Sequence, residues 1–144
     1  MGIEIVAMNG EDHYSAAGQI LYLRENAGTL GRVALAINMD AAGYHEGDTA
    51  WSLYGCPDET ARSIREAFAH QEGMVEGEQW YQGDHSIFVQ NGVPAMAITS
   101  ERLMELMTQV THTTKDRPEI VDYGKLAAVA LALRRLLMDL AGRH

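Results

Sequence analysis

Glu11 and Asp12 stand side by side in NGEDHYSAAGQ, residues 9–19, directly after the apolar run GIEIVAM. Neighbouring carboxylates repel, and one holds its proton more tightly unless a cation or hydrogen-bond donors neutralise the pair. Two more groups of metal-ligating type occupy comparable places. Asp40 follows the apolar run VALAINM, and His112 lies in THTTKD, residues 111–116, downstream of another apolar run at 93–99. Carboxylates and an imidazole together suit zinc and related divalent ions, with nothing redox-active required. A carboxylate not spent on ligation could act as general base on water acidified by such an ion. Each residue also has an ordinary structural reading. Acidic residues at a helix start serve as caps and dipole partners. Asp40, ahead of Ala-Ala-Gly, can bond its own backbone in a turn, and His112 between threonines can be a hydrogen-bonded loop histidine. No segment has the self-contained form of HExxH or CxxC, so spacing alone leaves both readings open.

The elements that must hold these residues are legible from composition and periodicity. The 144 residues suffice for one domain with a real core, and no repeat, low-complexity tract or linker divides residues 1–144. A formal net charge of −9 and a pI near 5.0 argue against nucleic acid and anionic membranes as partners. No apolar run reaches the roughly 20 residues of a membrane span. No signal peptide is visible, so the chain as it stands reads as cytoplasmic, with its native compartment left open. The single cysteine, Cys56, cannot form an internal disulfide or a zinc site by itself and reads as a small buried hydrophobe.

Residues 2–8 read as a buried strand, 15–25 as a helix, and 33–39 as a strand covered on both faces. Residues 49–55 read as a strand, 58–71 as a helix after Pro57, and 74–77 as a possible short strand. A short helix at 84–90 and a strand at 93–99 follow. An irregular stretch then runs to about residue 118, ahead of a long amphipathic helix over 121–140. Such alternation predicts an α/β fold, a mainly parallel, mixed sheet flanked by helices in three layers. In such sheets ligands lie beyond the carboxyl ends of the strands, where Glu11-Asp12, Asp40 and the loop of His112 all fall.

The order NGED, INMDAAGY, GDHSIFVQNGVPAMAI and THTTKDRPEIVDYGKL resembles the second half of the M28 family of zinc aminopeptidases, which are similar in fold to other dizinc exopeptidases. The resemblance implies that Glu11 is the general base and Asp12 a metal ligand, with Asp in a position usually held by Glu. Within Asn38-Met39-Asp40 it makes Asp40 a ligand to the second metal, and within His112-Thr113 it makes His112 share a metal with Asp12. Asp84 and His85 would border the site in supporting or substrate-facing roles. His13, adjoining the first of these segments, reads either as an exposed surface residue or as a supporting donor or substrate contact. Thr111 stands where the family often has a tyrosine that helps hold the tetrahedral intermediate. A complete site would hold up to two zinc ions and act on peptides. The family's first half supplies a further metal-binding His and the carboxylate that bridges the metals. Only eight residues precede Asn9 here, with Glu4 the sole acid among them. The resemblance therefore implies a domain truncated at its N-terminus, with weak or partial zinc occupancy and little or no activity alone. Two other readings share these motifs: a non-catalytic remnant serving as a binding or assembly module, and acyl transfer of the glutaminyl cyclase type. A sheet truncated in this way exposes a strand edge, which predicts a homo-oligomer, in the first instance a dimer.

Overall fold

The computed structural model describes residues 2–10 and 16–142. Its sheet is built around β4 (Ala95–Ser100), whose residues are all buried. The other strands, numbered in chain order, are β1 (Ala36–Met39), β2 (Thr49–Tyr54) and β3 (Met74–Glu76), and they lie in the order β1-β4-β2-β3. β1 runs parallel to β4 with Ile37 opposite Met96. β2 runs antiparallel to β4 with Ser52 opposite Ala97, and β3 runs parallel to β2. The expected mixed sheet is thus present.

Successive side chains on a strand point to opposite faces, and β4 divides the core accordingly. Met96 and Ile98 pack with Trp51, Ile64, Phe68, Val129, Ala132 and Leu136. That contact seats α2 (Asp58–Phe68) and α5 (Tyr123–Gly142) on one face. Ala95 and Ala97 meet Tyr54, Trp80 and Val93, with Tyr22, Leu23 and Phe88 packed beside them. That contact seats α1 (Ala17–Asn26) and α3 (His85–Gln90) on the other face, completing three layers. The small side chains of Ala95 and Ala97 let this second layer approach the sheet closely, whereas Met96 and Ile98 fill the thicker first one.

Local chemistry explains where the helices begin. Asp58 and Glu59 place negative charge in the first turn of α2, where the exposed N–H groups favour it. The Asp122 carboxylate accepts hydrogen bonds from the backbone N–H groups of Gly124 at 2.7 Å and Lys125 at 3.3 Å, which caps α5. Val129, Ala132 and Leu136 then recur on the buried side of that helix. Lys125 points back from the first turn, and its ammonium donates to the carbonyls of Tyr44 at 2.7 Å, His45 at 3.1 Å and Gly47 at 2.6 Å. One cation thereby gathers the loop that follows β1. Cys56 packs beside the first core cluster, and burial pushes its thiol above the ordinary range.

Three expectations change. Residues 2–8 form no strand, and Ile3, Ile5 and Val6 are exposed. Apolar, β-branched sequence becomes a strand only where a neighbour completes the ladder and a face packs, and among the described residues neither condition is met. The strand expected over 33–39 is confined to Ala36–Met39. Ile37 and Asn38 are only partly buried and Met39 is 58% exposed, so this short strand is not covered on both faces along its length. The stretch after β4, expected to be irregular, contains the short helix α4 (Leu103–Glu105) and a π-helix over Leu106–Val110.

The cap on α5 gives a direct test. Asp122→Ala is expected to lower stability by about 1 kcal/mol, seen as a lower urea midpoint at unchanged slope. Asp122→Asn, which keeps an acceptor, should recover most of the loss.

Candidate functional site

Asp40 leaves the carboxyl end of β1 with its backbone N–H bonded to the Ile98 carbonyl at 3.0 Å, so the parallel ladder fixes its position. Ala41 then turns the chain with φ +59°, and its carbonyl accepts from Tyr44 N–H at 3.2 Å. Thr111 and His112 approach from the π-helix. The Thr111 N–H bonds the Leu106 carbonyl at 2.8 Å, and the Thr113 N–H bonds that of Val110 at 3.0 Å. Leu106 and Val110 are both buried, so this turn is anchored on its inner side while Thr111 and His112 lie outside. Asp40, Thr111 and His112 share one open cleft of about 510 Å³ with Gln19, Trp80, Tyr81, Gly83 and Met107. Segments far apart in sequence therefore meet at one cleft.

A buried polar network holds the wall of this cleft. The Tyr54 hydroxyl donates to the Trp80 carbonyl at 2.6 Å and accepts from the Trp80 N–H at 2.8 Å. Ser52 Oγ lies 3.0 Å from the same hydroxyl. His85, only 1% exposed, meets the Trp80 carbonyl through Nε2 at 2.7 Å. A carbonyl can only accept, so Nε2 carries the proton. Nδ1 is then the acceptor facing the Asn38 amide at 3.4 Å. Burial pushes the His85 pKa below its usual value, against the opposing pull of the Trp80 carbonyl and of the Asp84 and Asp40 charges. His85 is thus a neutral buried ring that joins residues 80–85 to Asn38, two positions before Asp40. Asp84 itself accepts from the Gln19 amide at 2.8 Å.

Glu11, Asp12 and His13 lie outside the described residues. Their flanks are well tied. The Asn9 carbonyl accepts from Gly18 N–H at 3.1 Å, and a Cβ on Gly18 would lie 2.4 Å from that oxygen. Only glycine fits there. The helix that begins at this closure carries Gln19 into the cleft.

Backbone strain marks the same three loops. Among the described residues, the non-glycine positions with positive φ are Ala16 at +40°, Ala41 at +59° and His112 at +61°. Left-handed backbone costs an L-residue about 1–2 kcal/mol and persists where surrounding structure over-determines it, commonly at functional sites. One such residue follows the Glu11-Asp12 segment, one follows Asp40, and one is His112.

Sequence reasoning passed over Gln19, Lys125 and the π-helix. A lone amide in an otherwise apolar stretch of α1 and a lone cation in the first turn of α5 were available signals. The π-helix leaves none that a helical period would reveal. As for a metal, Asp40 and His112 are donors of the right chemistry, but zinc sites take four ligands. No group of three or more His, Cys, Asp or Glu among the described residues could hold an ion. The described donors alone do not make a complete site.

The sequence pattern of Peptidase family M28 matches residues 1–137. The fold matches an aminopeptidase from Aneurinibacillus sp. strain AM-1 with a TM-score of 0.68 and 18% identity, over 90% of this chain and 31% of that one. The chain therefore spans about a third of that protein's length, and at this identity the likeness speaks for the fold. No curated protein matches.

Two measurements test the geometry. Below pH 6.5, the ordinary histidine value, the unfolded chain binds a proton that folded His85 resists. Its contribution to stability is complete above 6.5 and declines as pH falls toward the lower folded pKa. The urea midpoint should drop between about pH 7.5 and about pH 5.5, and less so in His85→Gln; equal slopes would contradict the assignment. Ala41→Gly should raise stability by about 1 kcal/mol by relieving the left-handed turn, read as an increase in thermal midpoint.

Proposed function

The chain belongs to peptidase family M28, and on that premise we propose that it is the C-terminal part of a zinc aminopeptidase catalytic unit. In a complete dimetal site the unit hydrolyses N-terminal peptide bonds, and this chain alone has little or no turnover. One observation carries the reading: Asp40 and His112, from distant segments, line one cleft beside Gln19, on the helix that follows Glu11-Asp12 in the sequence.

In this reading Glu11 takes a proton from the attacking water and passes it to the leaving amine. Asp12 and His112 would hold one zinc ion and Asp40 the other, and zinc bound there would polarise the scissile carbonyl. Thr111 offers a hydroxyl at the edge of the cleft, shorter and far less acidic than a phenol. Asp84, tied to Gln19, keeps α1 close to the opposite wall, and His85 supports Asn38 and hence the end of β1. His13 acts as a supporting donor or substrate contact. A two-metal centre needs a bridging ligand; Glu4 does not line the cleft and accepts from the Tyr22 hydroxyl at 3.4 Å.

Zinc titration with a parallel aminopeptidase assay tests this. The purified chain should bind zinc weakly, His112→Ala should weaken binding at least tenfold, and turnover should stay near background. Chelator-sensitive turnover within the usual enzyme range of roughly 1–10³ s⁻¹ would overturn the claim of an incomplete site. Failure to bind zinc in excess would overturn the metal reading and favour a non-catalytic binding or assembly module.

A further inference from the structure

Asp40 and His112 reach the cleft by different means. The ladder to Ile98 sets Asp40, whereas His112 lies in a loop with no strand to register it. Thr111 has φ −55° and ψ 135° and His112 has φ +61°, the pattern of a type II turn over residues 110–113. Its second central position calls for glycine or asparagine, because φ is positive there. With histidine in that place, a type I turn is the less strained alternative. It keeps φ negative and closes with the same bond, from the N–H of the fourth residue to the carbonyl of the first. That bond, Thr113 N–H to Val110 at 3.0 Å, is common to both turns and does not choose between them.

The side chain of Thr113 adds what the backbone bond lacks. Its hydroxyl donates to the same Val110 carbonyl at 2.6 Å. The hydroxyl oxygen in turn accepts from the Lys115 N–H at 3.1 Å, and the Thr113 carbonyl accepts from the Asp116 N–H at 3.2 Å. All the polar groups of Thr113 are thus engaged within residues 110–116. Val110 ends the π-helix, so its carbonyl has no partner within the helix, and its side chain is buried in the core. The hydroxyl therefore ties the far end of the turn to a fixed point, and the residues between, Thr111 and His112, must make the reversal in the space left to them.

We propose that Thr113 is the positioning residue of His112, its hydroxyl selecting the left-handed turn that carries the histidine into the cleft. Valine at this position keeps the shape and the backbone bond, and loses both bonds of the hydroxyl. The turn then relaxes to negative φ. The consequence for zinc rests on the reading of His112 as a ligand, while the conformational role rests on the hydrogen bonds alone. Left-handed backbone costs about 1–2 kcal/mol. At about 1.4 kcal/mol per factor of ten, restoring it on binding is an affinity loss of about five- to thirtyfold.

Nuclear magnetic resonance and zinc titration on the full chain test this together. A strong contact between the amide and α protons of one residue marks positive φ, and His112 should show it in the unsubstituted chain without any metal. Thr113→Val should lose that signal and bind zinc about five- to thirtyfold more weakly, with its cooperative unfolding transition retained. Thr113→Ser, which keeps the hydroxyl, should restore both. A Thr113→Val chain that keeps the signal at full strength would overturn the proposal. So would equal impairment by serine and valine, or loss of cooperative unfolding in Thr113→Val, since the hydroxyl would then serve folding at large. If the unsubstituted chain binds no zinc, the metal reading of His112 fails, and the proton contact still decides the role of Thr113.

Discussion

The carbonyl of Trp80 accepts two buried hydrogen bonds, 2.6 Å from the Tyr54 hydroxyl and 2.7 Å from His85 Nε2, and the cleft depends on it. Tyr54 is the last residue of β2, His85 begins α3, and Asn38 beyond His85 belongs to β1. One carbonyl therefore links the interior of the sheet to both walls of the cleft. Each donor is buried, so losing the acceptor would leave unsatisfied polar groups at about 1–3 kcal/mol apiece. The aromatic rings reinforce the geometry, since His85 lies 4.8 Å from the ring centroids of both Tyr54 and Trp80. Gly83 completes the packing: a Cβ there would lie 2.8 Å from the Trp80 ring and 3.0 Å from the Asn38 amide.

Much of this architecture was readable because burial and period agree. The run AMAITS fills one central strand, and the stripe Val129, Ala132, Leu136 fixes a helix by spacing alone. Residues 2–8 have equally strand-like composition and still form none, because a strand needs a partner that local sequence does not contain. The site was readable in a different way. Asp40 and His112 carry no distinguishing spacing, and only the ordered resemblance of four segments singled them out. Nothing local could have disclosed that the π-helix over Leu106–Val110 would aim His112, since its i→i+5 bond answers to no apolar period.

The two described donors are held in place by contacts that do not involve a metal. Asp40 is fixed by the ladder to Ile98, and the loop after it is gathered by Lys125 on three carbonyls. His112 follows a turn anchored by two buried side chains and takes up a left-handed backbone. Strain of that kind is a cost of folding, met by the core when the chain folds and not charged again when an ion or substrate arrives. On the proposed metal reading, what binding must still order at these two positions is correspondingly small. Under the proposed reading, the backbone positions of Asp40 and His112 are therefore set by the fold itself and not by an ion.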